Sequence, residues 1–115
     1  MSRIETGREV YQKAEKVKPD PGYLAQVRSL PCVICQSFGF AQFSQTQAHH
    51  VIHDRFSTRK TPDRMAIPLC EGHHQGLRDT SKVALHQNPA KWKRLYGPDH
   101  EWVSATQDAI LGDTK

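Results

Sequence analysis

The side chains best suited to chemistry in this chain are its histidines and cysteines, and they fall in clusters. The stretch "QAHHVIHDRF" holds His49, His50 and His53 within five consecutive residues, and "IPLCEGHHQGL" adds Cys70 with a second doublet, His73 and His74. A further pair, Cys32 and Cys35, sits in "PCVIC". Three cysteines is an odd count that a disulfide framework does not use up. Cys32-x-x-Cys35 and Cys70-x-x-His73 instead form two ligand pairs, the pattern in which two tight turns close a tetrahedral zinc site of thiolates and an imidazole. Such a site is structural, with no coordination position free for a substrate. A redox role for Cys-x-x-Cys would call for a βαβ setting that these residues lack.

The doublets then divide into separate roles. With His73 turned toward the zinc, His74 lies about 100° further around a helix and faces elsewhere. On a strand, His49 and His50 point to opposite faces. One can bind a metal while the other reaches a substrate. His53 and His100 are expected to be structural or solvated, as isolated histidines usually are.

These residues need elements to hold them. The 115 residues, 37% of them hydrophobic, suit one domain with a modest core, a size at which a structural metal often serves as a staple. Residues 1–20 read as a polar N-terminal arm, and 21–115 as the folded domain. "PGYLAQVRSLP" fits a short helix with Tyr23, Leu24, Val27 and Leu30 on its apolar face. "PCVIC" reads as a tight turn, and "QSFGFAQFSQTQ", with no helical period, as a loop. "AHHVIH" and "MAIPLC" are expected strands, joined by the basic, turn-rich "DRFSTRKTPDR". "EGHHQGLRD" should open a short helix that Gly76 weakens. "PAKWKRLYG" follows an Asn88 cap and ends at Gly97. "PDHEWVSATQDAILG" reads as a last helix capped by Gly112. Trp92, Tyr96 and Trp102 have spacing suited to core packing. The class is α+β.

No apolar run approaches the ~20 residues that cross a bilayer, and the N-terminus has no apolar signal segment. A cytoplasmic protein without a membrane partner is expected. The net charge of +4 leans toward a polyanionic partner. Arg55, Arg59, Lys60 and Arg64, in the loop between the expected strands, are the candidates for holding a nucleic-acid backbone.

The order "PCVIC … AHHVIH … PDRMAIPLCEGHH" resembles the HNH endonucleases, the ββα-metal or His-Me finger group, with structural-zinc knuckles. More closely, from about Tyr23 to Leu111, it is similar to the RecA-dependent recombination-enhancement nucleases of temperate phages and prophages. That resemblance implies a small zinc-stapled ββα-metal finger with flanking helices. It also implies a metal-dependent DNA endonuclease that hydrolyses phosphodiester bonds, acting on recombination or displaced-strand DNA, with a RecA filament as a possible partner.

By position, His49 matches the first ligand of a catalytic metal and His50 the general base. His74 matches the ligand on the finger's helix. Arg78 stands where the usual third ligand would be, so that role passes to His86 in "VALH". The motif's middle asparagine has no match; Asp63 lies nearest, and is grouped with His50 as the residue that braces the finger. The second metal is a divalent ion (Mg2+, Mn2+ or Zn2+), beside structural Zn2+ on Cys32, Cys35, Cys70 and His73. The alternative is a non-catalytic zinc module that binds nucleic acid, which leaves His49, His50, His74 and His86 without a task.

Overall fold

The structure, a computed structural model, describes residues 18–53 and 61–112. The polar arm up to residue 17, and with it most of the expected N-terminal unit, lies outside the described residues.

Helix α1 (Pro21–Arg28) begins where Asp20 accepts a hydrogen bond from the Tyr23 N–H and Pro21 occupies the first turn; both are favourable there, because the first amides of a helix have no internal partner. Tyr23 and Val27, one turn apart, pack with Ile110, while Leu30 and Ala48 flank them.

The expected turn at "PCVIC" is a helix instead, α2 (Val33–Phe38), which also takes in the start of the segment expected to be a loop. Its sequence has no amphipathic period, but it has both ends. The Cys32 sulfur accepts from the Cys35 N–H at the N-cap, and Gly39 adopts φ 76 at the other end, the left-handed conformation that terminates helices.

Strand β1 (Thr46–His50) pairs antiparallel with β2 (Ala66–Cys70), with Thr46 opposite Cys70, His49 opposite Ile67 and His50 opposite Ala66. The first strand therefore stops short of the expected "VIH". The N–H groups of Ile52 and His53 leave the ladder and donate to the Asp99 carboxylate, at 2.7 and 3.0 Å. β2 is buried at every position and runs directly into α3 (Glu71–His74), capped by the Cys70 sulfur accepting from the His73 N–H. Gly76, at φ 80, ends that turn of helix.

Two backbone bonds, Leu85 N–H to His73 C=O (2.9 Å) and His86 N–H to His74 C=O (3.0 Å), bring the chain back alongside α3. α4 (Pro89–Tyr96) starts at the expected Asn88 cap and stops at Gly97. The expected last helix divides into a 3-10 turn (Asp99–Trp102) and α5 (Val103–Gly112), with Gly112 its final residue and not a cap beyond it. Among the described residues no helix is long and apolar enough to cross a membrane.

The main core joins Ile34, Ile67, Leu69, Leu85 and Trp92 to all three cysteines. Tyr96 and Trp102 pack against it in part, as their spacing suggested. Trp92 is fully buried and donates its indole N–H to the His73 carbonyl. The core is thus assembled around the cysteine cluster.

One close approach inside it is testable. A Cβ on Gly72 would meet the Asp79 carbonyl oxygen at 2.9 Å and Lys82 Cγ at 3.0 Å. The Asp79–Lys82 ion pair (2.8 Å) has both side chains buried, so that loop has little room to retreat. Gly72→Ala is expected to cost about 1–3 kcal/mol through overpacking, measured as a lower denaturant midpoint; an unchanged midpoint would mean that the 79–82 loop gives way freely.

Candidate functional site

The first centre is the one that the cysteine spacing predicted. Cys32, Cys35, Cys70 and His73 are all buried and present their ligand atoms to one another. The His73 Nδ1 stands 3.5, 3.6 and 3.5 Å from the sulfurs of Cys32, Cys35 and Cys70, and the Cys35 and Cys70 sulfurs are 3.8 Å apart. Bonds of about 2.3 Å to sulfur and about 2.05 Å to nitrogen put the corners of a zinc tetrahedron roughly 3.8 Å (S–S) and roughly 3.5 Å (S–N) apart. The residues fit the ion.

Electrostatics argue the same way. Hydrogen bonding to Cys70 and burial push the Cys32 thiol up, the Cys35 thiol is raised to about 11 chiefly by burial, and the bond from Cys32 draws Cys70 down to about 3. Crowded thiols cannot all ionise unless a cation lies among them. Both cysteine turns place sulfur at a helix N-terminus, where amide N–H groups favour thiolate. This buried three-cysteine, one-histidine cluster can hold a metal such as zinc.

The second cluster is His49, His74 and His86, with ligand nitrogens within 4.8 Å of one another. Ring centroids are 5.0 Å apart for His49–His74, 5.3 Å for His49–His86 and 4.8 Å for His74–His86. His49 comes from β1, His74 from α3, and His86 from the segment that the two backbone bonds tie to α3. The His49 Nε2–H donates to Asp99 (2.7 Å) and the His74 Nδ1–H to the Gln47 side-chain carbonyl (2.7 Å). Those bonds leave Nδ1 of His49 and Nε2 of His74 as the lone-pair nitrogens. Burial, then the neighbouring His49 and His86, hold His74 down to about 3, and burial followed by His49 lowers His86. Unprotonated imidazole is the form that ligates. His49 and His74 are buried while His86 is exposed, so this cluster, unlike the first, is reachable from solvent.

Asp99 was not singled out in the sequence, where it lies in "GPDHEW" far from any histidine doublet. It is fully buried. Burial works against its charge, but the His49 hydrogen bond and the Ile52 and His53 amides outweigh that, and its carboxyl is lowered. His53, which also takes the Asp99 N–H on Nδ1 and donates Nε2–H to the Pro89 carbonyl, braces the same junction and stands outside the histidine triangle. A carboxylate behind a ligating histidine fixes its tautomer and typically changes metal affinity by about 10–100-fold. Asp99→Asn is therefore expected to weaken the binding of an ion at the three histidines by that factor while leaving the cysteine-bound ion in place; equal affinity in calorimetric titration would remove Asp99 from this role.

His50, next to His49, makes a separate arrangement. Its Nε2–H donates to Asp63 Oδ1 at 2.8 Å, and the other Asp63 oxygen accepts the Asp20 N–H at 2.7 Å. The His50 side chain is 31% exposed and that of Asp63 12%, so the ring is half-open and its partner held. Arg64 donates to Asp20 (2.8 Å) and lies over the Tyr23 ring, which ties it to the base of this group. Arg55, Arg59 and Lys60 lie outside the described residues. Arg78 is the one described residue other than glycine with positive φ, at 64°, and belongs to neither metal cluster.

Compared with curated proteins and with solved structures, the chain matches none. A family model does match it, over residues 12–112. That span takes in all of the elements and both clusters, and the chain belongs to the family described as protein of unknown function (DUF968).

Proposed function

We propose that this protein is a metal-dependent endonuclease that hydrolyses DNA phosphodiester bonds, in the manner of an HNH finger. One observation carries the reading. Two consecutive residues of one strand, His49 and His50, enter two different constellations, a three-imidazole cluster open to solvent and a histidine–carboxylate dyad. A zinc module that only binds nucleic acid has use for neither.

In this reading Asp63 holds the His50 ring so that Nδ1 is the free nitrogen, and that nitrogen takes a proton from the attacking water. Asp99 and Gln47 fix the rings of His49 and His74 with their lone pairs inward. A divalent cation on His49, His74 and His86 would supply positive charge against the phosphate. The Cys32, Cys35, Cys70 and His73 site keeps α2, β2 and α3 in register and takes no part in the reaction.

The experiment is a nicking assay on supercoiled plasmid, linear duplex and D-loop DNA with Mg2+ or Mn2+, with and without a RecA filament. Metal-dependent strand breaks support the reading, and breaks confined to RecA-bound D-loops would mark displaced strands as the target. No break in any DNA form would favour the non-catalytic module.

A further inference from the structure

Outside both metal clusters, an open cleft of about 430 Å3 is lined by Gln42, Phe43, Ser44, Gln45, Glu71 and Arg78. Its floor is unusual. Glu71 is 93% buried by residue area (7% exposed), yet among the described residues its carboxylate accepts no hydrogen bond. The nearest cation, Arg78 Nε, stands at 3.8 Å, beyond hydrogen-bonding reach. A buried acceptor normally has a donor, because desolvation without one is costly. The Arg78 side chain is 76% exposed and its backbone is in the left-handed region at φ 64, a conformation that costs a side chain energy and persists where the surroundings impose it.

The wall is equally specific. Phe43 is 72% exposed, the most exposed large apolar residue described, and it is not loose: the Lys82 ammonium sits 4.7 Å from its ring centroid. With Lys82 on one face, the other is open. An aromatic face beside an unsatisfied carboxylate suits a flat, π-bearing ligand whose edge carries N–H donors. Carboxylate oxygens come as an adjacent pair, and among unpaired bases guanine presents two adjacent donors, N1–H and N2–H, on one edge. Single-stranded nucleic acid is read in this way, by stacking on aromatic rings and hydrogen bonds to the exposed base edge.

We propose that this cleft binds an unpaired guanine of a single strand, stacked on Phe43 and hydrogen-bonded to Glu71, with the exposed Arg78 guanidinium against the strand's phosphate. The inference rests on the nucleic-acid reading above and deepens it: the protein would select where on a displaced strand it engages.

The test is fluorescence anisotropy with the full-length His50→Ala protein and labelled oligo-dT carrying at its centre guanine, inosine (which lacks the N2 amine) or thymine. The guanine strand is expected to bind about tenfold more tightly than the thymine strand, on the scale of one bidentate base contact, with inosine between them. Adding Glu71→Gln should erase the guanine preference while leaving oligo-dT binding and zinc content unchanged. Adding Phe43→Ala should weaken binding to every strand. Binding without base preference, or a preference that survives Glu71→Gln, overturns the guanine site and leaves nucleic-acid binding standing. No binding to any strand overturns both.

Discussion

Cys70→Ser is expected to yield a protein that binds no zinc at the cysteine site and unfolds without a cooperative transition. Cys70 is the last residue of β2, the N-cap of α3 and a member of the metal cluster at once. Its sulfur takes the His73 N–H and lies 3.5 Å from the His73 Nδ1. A structural zinc is worth about 10–16 kcal/mol at neutral pH in small zinc domains, and a domain of this kind has a net stability of roughly 5–15 kcal/mol. Loss of the ion therefore removes as much free energy as the fold has in reserve. The core has no substitute, since Cys32, Cys35 and Cys70 are themselves core members beside Ile34, Ile67, Leu69 and Trp92. Circular dichroism melts and metal analysis decide the matter, and chelation of the unmodified protein should have the same effect. A Cys70→Ser melt within a few degrees of the parent would show that packing alone holds the fold. His49→Ala, by contrast, should keep the cysteine-bound ion, because His49 belongs only to the other cluster.

The ligand pairs could be read from the chain because each is local. A Cys-x-x-Cys or Cys-x-x-His turn presents two ligands whatever surrounds it, and His73 and His74 diverge by the geometry of any helix. Helices α1 and α4 were legible from proline and Asp or Asn caps for the same reason. What escaped was non-local or lacked periodicity. α2 is specified at its ends, by a thiol acting as cap and by Gly39, and no apolar stripe runs between them. The stop of β1 at His50 depends on Asp99, 49 residues away, whose carboxylate takes amides that would otherwise have continued the ladder. The same carboxylate supports His49 across 50 residues of sequence. No spacing rule links "AHH" to "GPDHEW"; only the fold does. His86 was placed by resemblance, and the physical reason for its position is the pair of backbone bonds that lay residues 85 and 86 along 73 and 74. Asp63 was chosen for its nearness to a missing asparagine, but what it touches is His50.

That contact sets the expected behaviour of His50→Ala, for which a loss of about 10²–10⁴-fold in nicking rate is anticipated, the range that a positioned general base contributes. The loss should fall on turnover and not on the binding of metal. His50 is absent from both ligand sets, and its ring nitrogen Nε2 is committed to Asp63. A variant that lost an ion as well would point to His50 as a ligand, contrary to the chemistry assigned to it. Asp63→Asn separates orientation from proton transfer. The amide can still accept from His50 through its oxygen but no longer carries the charge that steadies a protonated ring, so a smaller loss is expected, about 10-fold to 10²-fold. If Asp63 served only to brace α1 through the Asp20 N–H, the asparagine variant would lose stability and keep its turnover. Exogenous imidazole added to His50→Ala completes the argument, since partial rescue requires a missing base and cannot repair a missing brace. Nicking that persists undiminished in His50→Ala would assign the proton to another group, and the dyad would then be a structural hydrogen bond on the edge of the sheet.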